Sequence, residues 1–192
     1  FSGLLMLPFY FRQPGPKRIS PSDLGWIALS ALFLSLHFVT WVYSLNFTSV
    51  TSSVVLVTIN PLFVSILGWV FMREKTGPRI LVAIAVVVAG GAIIGGRALA
   101  AGGMGNLGNL LALAGALMAS GYLLTGRHLR KRLSLVTYTT ICYSMTAVIL
   151  LAASLAAKTP LGGFPKINYL YFALMAIGPQ LLGHSIFNWG LK

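Results

Sequence analysis

Polar side chains are scarce in the apolar runs of this chain, and the few present recur in patterns. Ser30, His37, Trp41 and Ser44 fall on one helical stripe. Gln180, His184 and Asn188 recur every four residues, which lines them along one face of a helix. Asn60-Pro61 breaks into a third run, where a proline without an N–H frees a backbone carbonyl for a ligand, a side chain or water. The chemistry within reach is hydrogen bonding by neutral groups, aromatic contact, and proton exchange at imidazoles whose unperturbed pKa is about 6.5. His37, Trp41, Asn60, Gln180, His184 and Asn188 are therefore the candidate solute-contacting residues. Tyr122, with Ser120 and Thr125, is a lesser set. Trp41, Tyr43 and Trp189 also suit an interfacial aromatic belt.

Other chemistries are poorly provided for. Asp23 and Glu74 are the only acids of the chain, and both stand at the ends of apolar runs. There is no carboxylate pair for general acid–base work, no HExxH and no Ser–His–Asp set, so the expectation is not an enzyme. Cys142 is the single cysteine, which rules out an intrachain disulfide and a cysteine-based metal site; no metal and no cofactor is expected. Gly103-Met104-Gly105-Asn106-Leu107-Gly108 spells a dinucleotide fingerprint, but it follows an apolar run instead of a strand, and no acid follows it. Asn46-Phe47-Thr48 is a glycosylation sequon too close to a run's end to favour modification.

The elements that must position these groups are membrane helices. The chain has 192 residues, 57% hydrophobic and only 8% charged, with a mean hydropathy of +0.86. A soluble domain carries roughly 25% charged residues. The formal charge of +12 is confined to short gaps between apolar runs, which excludes the basic face that a nucleic-acid reader needs. A short first run, Phe1–Phe11, precedes six complete candidates: Leu24–Leu45, Val50–Met72, Pro78–Gly95, Leu107–Gly126, Leu135–Ala157 and Tyr169–Leu191. Each approaches the roughly 20 residues that a hydrocarbon core requires. The fold class is all-α, a polytopic membrane helix bundle. The opening run is too short to cross, and Lys192 ends the chain directly after an apolar run, so the expectation is a piece of a longer protein.

Arg12, Lys17, Arg18, Arg73, Lys75, Arg79, Arg127, Arg130, Lys131, Arg132 and Lys192 lie on one side of these spans, and Arg97, Lys158 and Lys166 on the other. The richer side is placed in the cytoplasm, and the expected address is the inner (plasma) membrane. The Arg127–Arg132 cluster is expected to set topology and meet anionic lipid headgroups. Gly91-Ala92-Ile93-Ile94-Gly95 is a GxxxG that serves close packing within the bundle or a homodimer.

Two stretches echo each other. Leu36-His37 through Ser44-Leu45-Asn46 and Leu182-Gly183-His184 through Gly190-Leu191-Lys192 share a Leu, a His, a Trp and a closing Leu, with the His displaced by one residue. An odd number of crossings separates them, so they run antiparallel. Inverted repeats of this kind are typical of secondary transporters. The Gly/Ala-rich 97–106 reads as the linker between a first repeat, 1–96, and a second, 107–192.

The segment Leu36–Gly96 carries a family likeness. A His/Trp span ends in Tyr43-Ser44-Leu45-Asn46-Phe47-Thr48-Ser49; Asn60-Pro61-Leu62, Glu74-Lys75-Thr76 and Gly90-Gly91 follow. With Gly183–Lys192, these residues resemble the drug/metabolite transporter superfamily, and within it the EamA-like exporters. The resemblance implies two inverted five-helix repeats, truncated here at both ends to helices 2 to 8 of ten. It also implies a small-molecule substrate exported by alternating access. Neutral hydrogen-bonding groups and aromatic faces suit a neutral or zwitterionic, amino-acid-like solute. Proton coupling through the two His and a facilitator without coupling both remain open. So do a channel-like pore and a membrane assembly subunit that transports nothing.

Overall fold

A computed structural model describes residues 2–13, 19–73, 77–100 and 104–190. Glu74, with Lys17, Arg18, Lys75 and Lys192 of the charge tally and Gly103 of the glycine string, lies outside them. Among the described residues there is no strand. The helices are α1 (Ser2–Arg12), α2 (Pro21–Ser44), α3 (Val50–Val57), α4 (Asn60–Met72), α5 (Pro78–Ala100), α6 (Met104–Arg130), α7 (Leu135–Ala156) and α8 (Lys166–Met175). A π-helical segment, Ala176–His184, then leads into α9 (Ser185–Trp189).

Five stretches are long and apolar enough to cross a bilayer: Pro21–Ser44, Val50–Met72, Gly105–Arg130, Leu135–Ala156 and Lys166–Trp189. The sixth expected span falls on α5, whose apolar part among the described residues is the shorter Pro78–Ile93. Helix α5 runs on to Ala100 and α6 starts at Met104, so helix occupies most of the expected 97–106 linker. Gly105 and Gly108 accordingly sit on a helix, not in the loop that phosphate binding by a dinucleotide fingerprint requires.

Helix ends follow their local chemistry. Ser20 and Asp23 cap α2 reciprocally: the Ser20 N–H and hydroxyl both donate to Asp23 Oδ2 (3.0 and 2.7 Å), and the Asp23 N–H donates to Ser20 Oγ (3.1 Å). This is a capping box, with Pro21 at the first helical position where its missing N–H costs nothing. Ser49 and Ser134 cap α3 and α7 by accepting the N–H of Ser52 and Thr137.

Two expected spans are broken. Val50–Met72 is two helices, because Pro61 cannot donate to the carbonyl of Val57 and its ring crowds that turn. Helix α3 stops at Val57, the Ile59 N–H reaches back only to Leu56 O (3.3 Å), and α4 restarts at Asn60 with Pro61 in its first turn. The last span widens into the π segment around Pro179, which likewise removes one rung of the helical ladder.

The chain divides into two compact units, Phe1–Ser35 with Thr125–Lys192, and Leu36–Leu124. In the first, α1 packs on α7, where a Cβ on Gly3 would lie 2.9 Å from Ser144 Oγ. Ser2 Oγ donates to Ala176 O, and Gln13 Oε1 accepts from the hydroxyls of Ser134 (3.0 Å) and Thr137 (3.1 Å). In the second, Leu56, Ile59 and Ala112 form a core with Leu62, Val88 and Leu113. Gly91 of the GxxxG is buried against Ile59, so this glycine serves packing within the unit.

Polarity is inverted relative to a soluble protein. Ser30, Ser44, Ser53, Ser120, Thr139 and Asn188 are fully buried, while Trp69, Phe71, Val82, Ile93 and Ile186 face outward. In water so much exposed apolar surface would demand a partner; against lipid tails it is the expected surface of a membrane protein.

Helix α6 comes close to the α2–α3 turn at Gly108, where a Cβ would stand 2.8 Å from the backbone N of Thr48. Backbone cannot yield as a side-chain tip can. Gly108→Leu should cost about 1–3 kcal/mol, read as a lower melting midpoint in detergent, whereas Gly105→Ala, whose nearest neighbour is 3.8 Å away, should leave it unchanged.

Candidate functional site

The candidate residues fall into two sets, each within its own unit. His37, Trp41 and Asn60 belong to the unit Leu36–Leu124. His37 is 6% exposed on the buried face of α2, and its Nδ1 lies 2.9 Å from the carbonyl oxygen of Gly115. A carbonyl can only accept, so Nδ1 carries the proton and Nε2 is the nitrogen at which protonation would change. The Trp41 ring lies nearly parallel to the imidazole, 5.7 Å away at 16°. Gly115 allows this arrangement: a Cβ there would meet Thr40 Oγ1 at 3.2 Å and Trp41 Cβ at 3.3 Å.

Trp41 is half-buried, and its indole Nε1 is buried without an acceptor among the described residues. Its backbone is held by the Ser44 hydroxyl, which donates to Trp41 O, and Ser44 Oγ pairs in turn with Ser53 Oγ at 2.6 Å. Asn60 opens α4, and its carbonyl oxygen accepts from Ser120 Oγ (3.0 Å). Ser120 thus bonds a carbonyl beside the helix break, not the carbonyl of Val57 that Pro61 leaves without its ladder donor. Tyr122 is fully buried.

Gln180, His184 and Asn188 belong to the other unit. Gln180 and His184 are half-buried on the π segment, and Gln180 Oε1 is buried with no hydrogen-bond donor among the described residues. Asn188 is fully buried on α9; its Nδ2 donates to His184 O (2.7 Å), and its backbone carbonyl accepts from Arg130 Nε (3.2 Å). Trp189 is 70% exposed.

Arg130 departs from the expectation that the Arg127–Arg132 cluster faces lipid headgroups. It is 4% exposed, and besides Asn188 O it donates to Leu133 O (2.7 Å), joining the α6–α7 turn to α9. Arg132 reaches the capping carboxylate of Asp23 at 3.3 Å. Lys131 remains exposed. The signal for Arg130 was a helical one: Tyr122, Gly126 and Arg130 continue the buried line of α6 at intervals of four.

Tyr138, Thr146 and Asn109, which sequence reasoning passed over, join Ser30 and Cys142 in the interior. In the first unit Ser30 Oγ and Tyr138 OH are 2.7 Å apart, with Cys142 Sγ 3.9 Å from Ser30 Oγ. Thr146 Oγ1 lies 2.8 Å from Cys142 O and 3.4 Å from Ala31 O. In the second, Asn109 is 1% exposed and its Oδ1 accepts from Thr48 Oγ1 (2.8 Å). Asn109 stands near the start of an apolar run, and its position in the sequence alone does not mark it as buried. Among the described residues no three His, Cys, Asp or Glu side chains group as metal ligands.

Trp41→Phe tests the aromatic pair. It keeps a ring over His37 and deletes an N–H without an acceptor, so the melting midpoint in detergent should hold or rise. Trp41→Ala, which removes the ring itself, should cost about 2 kcal/mol.

The model of the EamA-like transporter family matches residues 1–96. No curated protein and no solved structure matches the chain.

Proposed function

The chain belongs to the EamA-like transporter family, part of the drug/metabolite transporter superfamily, and from that premise we propose that it exports small metabolites across the inner (plasma) membrane as a secondary active transporter working by alternating access. The solute is neutral or zwitterionic and amino-acid-like. Solute contact is assigned to His37, Trp41 and Asn60 and, as a separate set, to Gln180, His184 and Asn188.

The observation that carries this reading is the His37–Trp41 pair. An imidazole fixed at Nδ1 by Gly115 O lies beside a nearly parallel indole, a surface that binds an uncharged solute body by contact and its polar groups by hydrogen bonds. Asp23, the acid among the described residues, is tied to Ser20 and Arg132. A hydrophobic cation would call for a carboxylate beside the aromatic pair. Proton coupling, in this reading, runs through the imidazoles, with His37 Nε2 as the exchanging atom.

Counterflow with the intact protein in liposomes tests the proposal. Preloading with unlabelled amino acid should accelerate uptake of the labelled form, as a carrier does and a pore does not. His37→Ala combined with His184→Ala should lower that flux at least about tenfold, equivalent to roughly 1.4 kcal/mol. Unchanged flux in the double variant would remove both His from the site. Equal uptake with and without preloading would replace the carrier by a pore.

A further inference from the structure

Gln180, His184 and Asn188 share a stripe only where an α-helix brings every fourth residue to one face. The π segment breaks that rule. Its hydrogen bonds close over five residues instead of four, so the helical phase of α8 does not carry through to α9. A contact from outside the helix must then set which way Asn188 faces.

Packing of the span itself decides little. None of residues 166–187 is buried, whereas Asn188 is fully buried. Hydrogen bonds hold the stretch at separate points. Ser2 Oγ meets Ala176 O at the head of the π segment (3.1 Å). Tyr143 OH lies 3.4 Å from Ser185 Oγ, at the outer limit of a hydrogen bond. The charge-assisted bond stands at the far end, from Arg130 Nε to Asn188 O (3.2 Å).

Arg130 is fit to set the phase because it is itself fixed. Its Nη1 donates to Leu133 O (2.7 Å), so two nitrogens of one rigid plane are bonded at once and the guanidinium is anchored on the α6–α7 turn. Asn188 carries the constraint onward, since its Nδ2 donates to His184 O (2.7 Å). The carbonyl of Asn188 lies in the last turn of α9, where the helix supplies no donor of its own. A single-point donor would satisfy that carbonyl; a fork held at two points also fixes where it stands.

We propose that Arg130 is a positioning residue for solute binding: by gripping Asn188 O it sets the rotation of α9 and hence the placement of the Asn188 side chain. The route to His184 runs through that side chain. The proposal rests on the solute-contact reading above and adds to it a residue that touches no solute.

The test is counterflow of labelled L-leucine by the intact protein in liposomes, normalised to folded protein and measured across leucine concentrations. Arg130→Lys keeps the charge and loses the fork. It should raise the half-saturating concentration at least about tenfold and leave maximal flux within about twofold. Asn188→Ala should raise half-saturation as well. Adding Arg130→Lys to Asn188→Ala should then raise it by less than about twofold more, because nothing is left to position. A merely structural arginine gives a different pattern: the two effects multiply, or maximal flux falls while half-saturation stays. Either result would overturn the proposal. Arg130→Gln, uncharged and with one donor group, takes the same place in the cycle where Arg130→Lys does not fold. Amide exchange in detergent reads the grip without transport: residues 184–190 of Arg130→Lys should exchange at least about tenfold faster, with α2 and α7 unchanged. Equal protection of 184–190 in both proteins would overturn the grip. Absence of leucine counterflow in the wild type would overturn the amino-acid reading beneath the proposal, whereas wild-type half-saturation in Arg130→Lys would overturn the proposal alone.

Discussion

A lipid-embedded helix has no water to turn to, so each of its polar groups must find a partner inside the protein. That requirement organises this chain. It drives Ser30, Ser44, Ser53 and Ser120 to fully buried positions and leaves large apolar side chains to meet the acyl tails. It also explains why the hydroxyls are so often bonded to carbonyls of their own helix, Ser35 to Ala31 and Thr139 to Leu135 among them. Packing between helices then relies on small residues. Gly108, Gly115 and the fully buried Ala112 and Ala116 give α6 a surface flat enough for backbone to approach.

Where the ladder is interrupted, the same requirement decides what gathers around the break. Pro61 splits one span, and the carbonyl of Asn60 is met by Ser120 from α6. Pro179 sits in a nine-residue π segment, anchored at its start by Ser2 and followed by Asn188, whose carbonyl Arg130 holds. A buried guanidinium is costly unless its N–H groups are bonded. Arg130 offsets part of that cost with two carbonyls, so its loss would strip partners from the ends of two elements at once.

Much of this architecture was legible in the sequence, because apolar run length and capping residues act locally. The runs beginning near Leu24, Val50 and Leu135 became helices within a few residues of the expected bounds, and Asn60-Pro61 broke its span as proline chemistry requires. Asp23 was readable as a cap, although its reciprocal bonds to Ser20 were not. That helix covers most of 97–106 was not legible, since glycine and alanine in an apolar setting can continue a helix as well as end one. Arg130 was misjudged because its neighbours Lys131 and Arg132 are solvent-facing, and only the helical phase separates it from them. Asn109 was passed over for a related reason: whether a polar residue near a helix start is capped, solvated or buried depends on what packs against it, which a single helix does not reveal. The π segment was not foreseen, because proline announces an interruption and not the form it takes.

Two of the hydroxyl contacts have a built-in alternative. Ser120 Oγ lies 3.0 Å from Asn60 O and 2.8 Å from Ala116 O, one carbonyl on another helix and one on its own. Thr146 stands in the same relation to Ala31 O and Cys142 O. Such a hydroxyl can release the neighbouring helix and remain bonded, so parting the two helices strands no donor and forfeits only the smaller, net value of one hydrogen bond. Adhesion of this sort is reversible by construction: it holds the helices in register while closed, and sets no deep energetic trap against their opening.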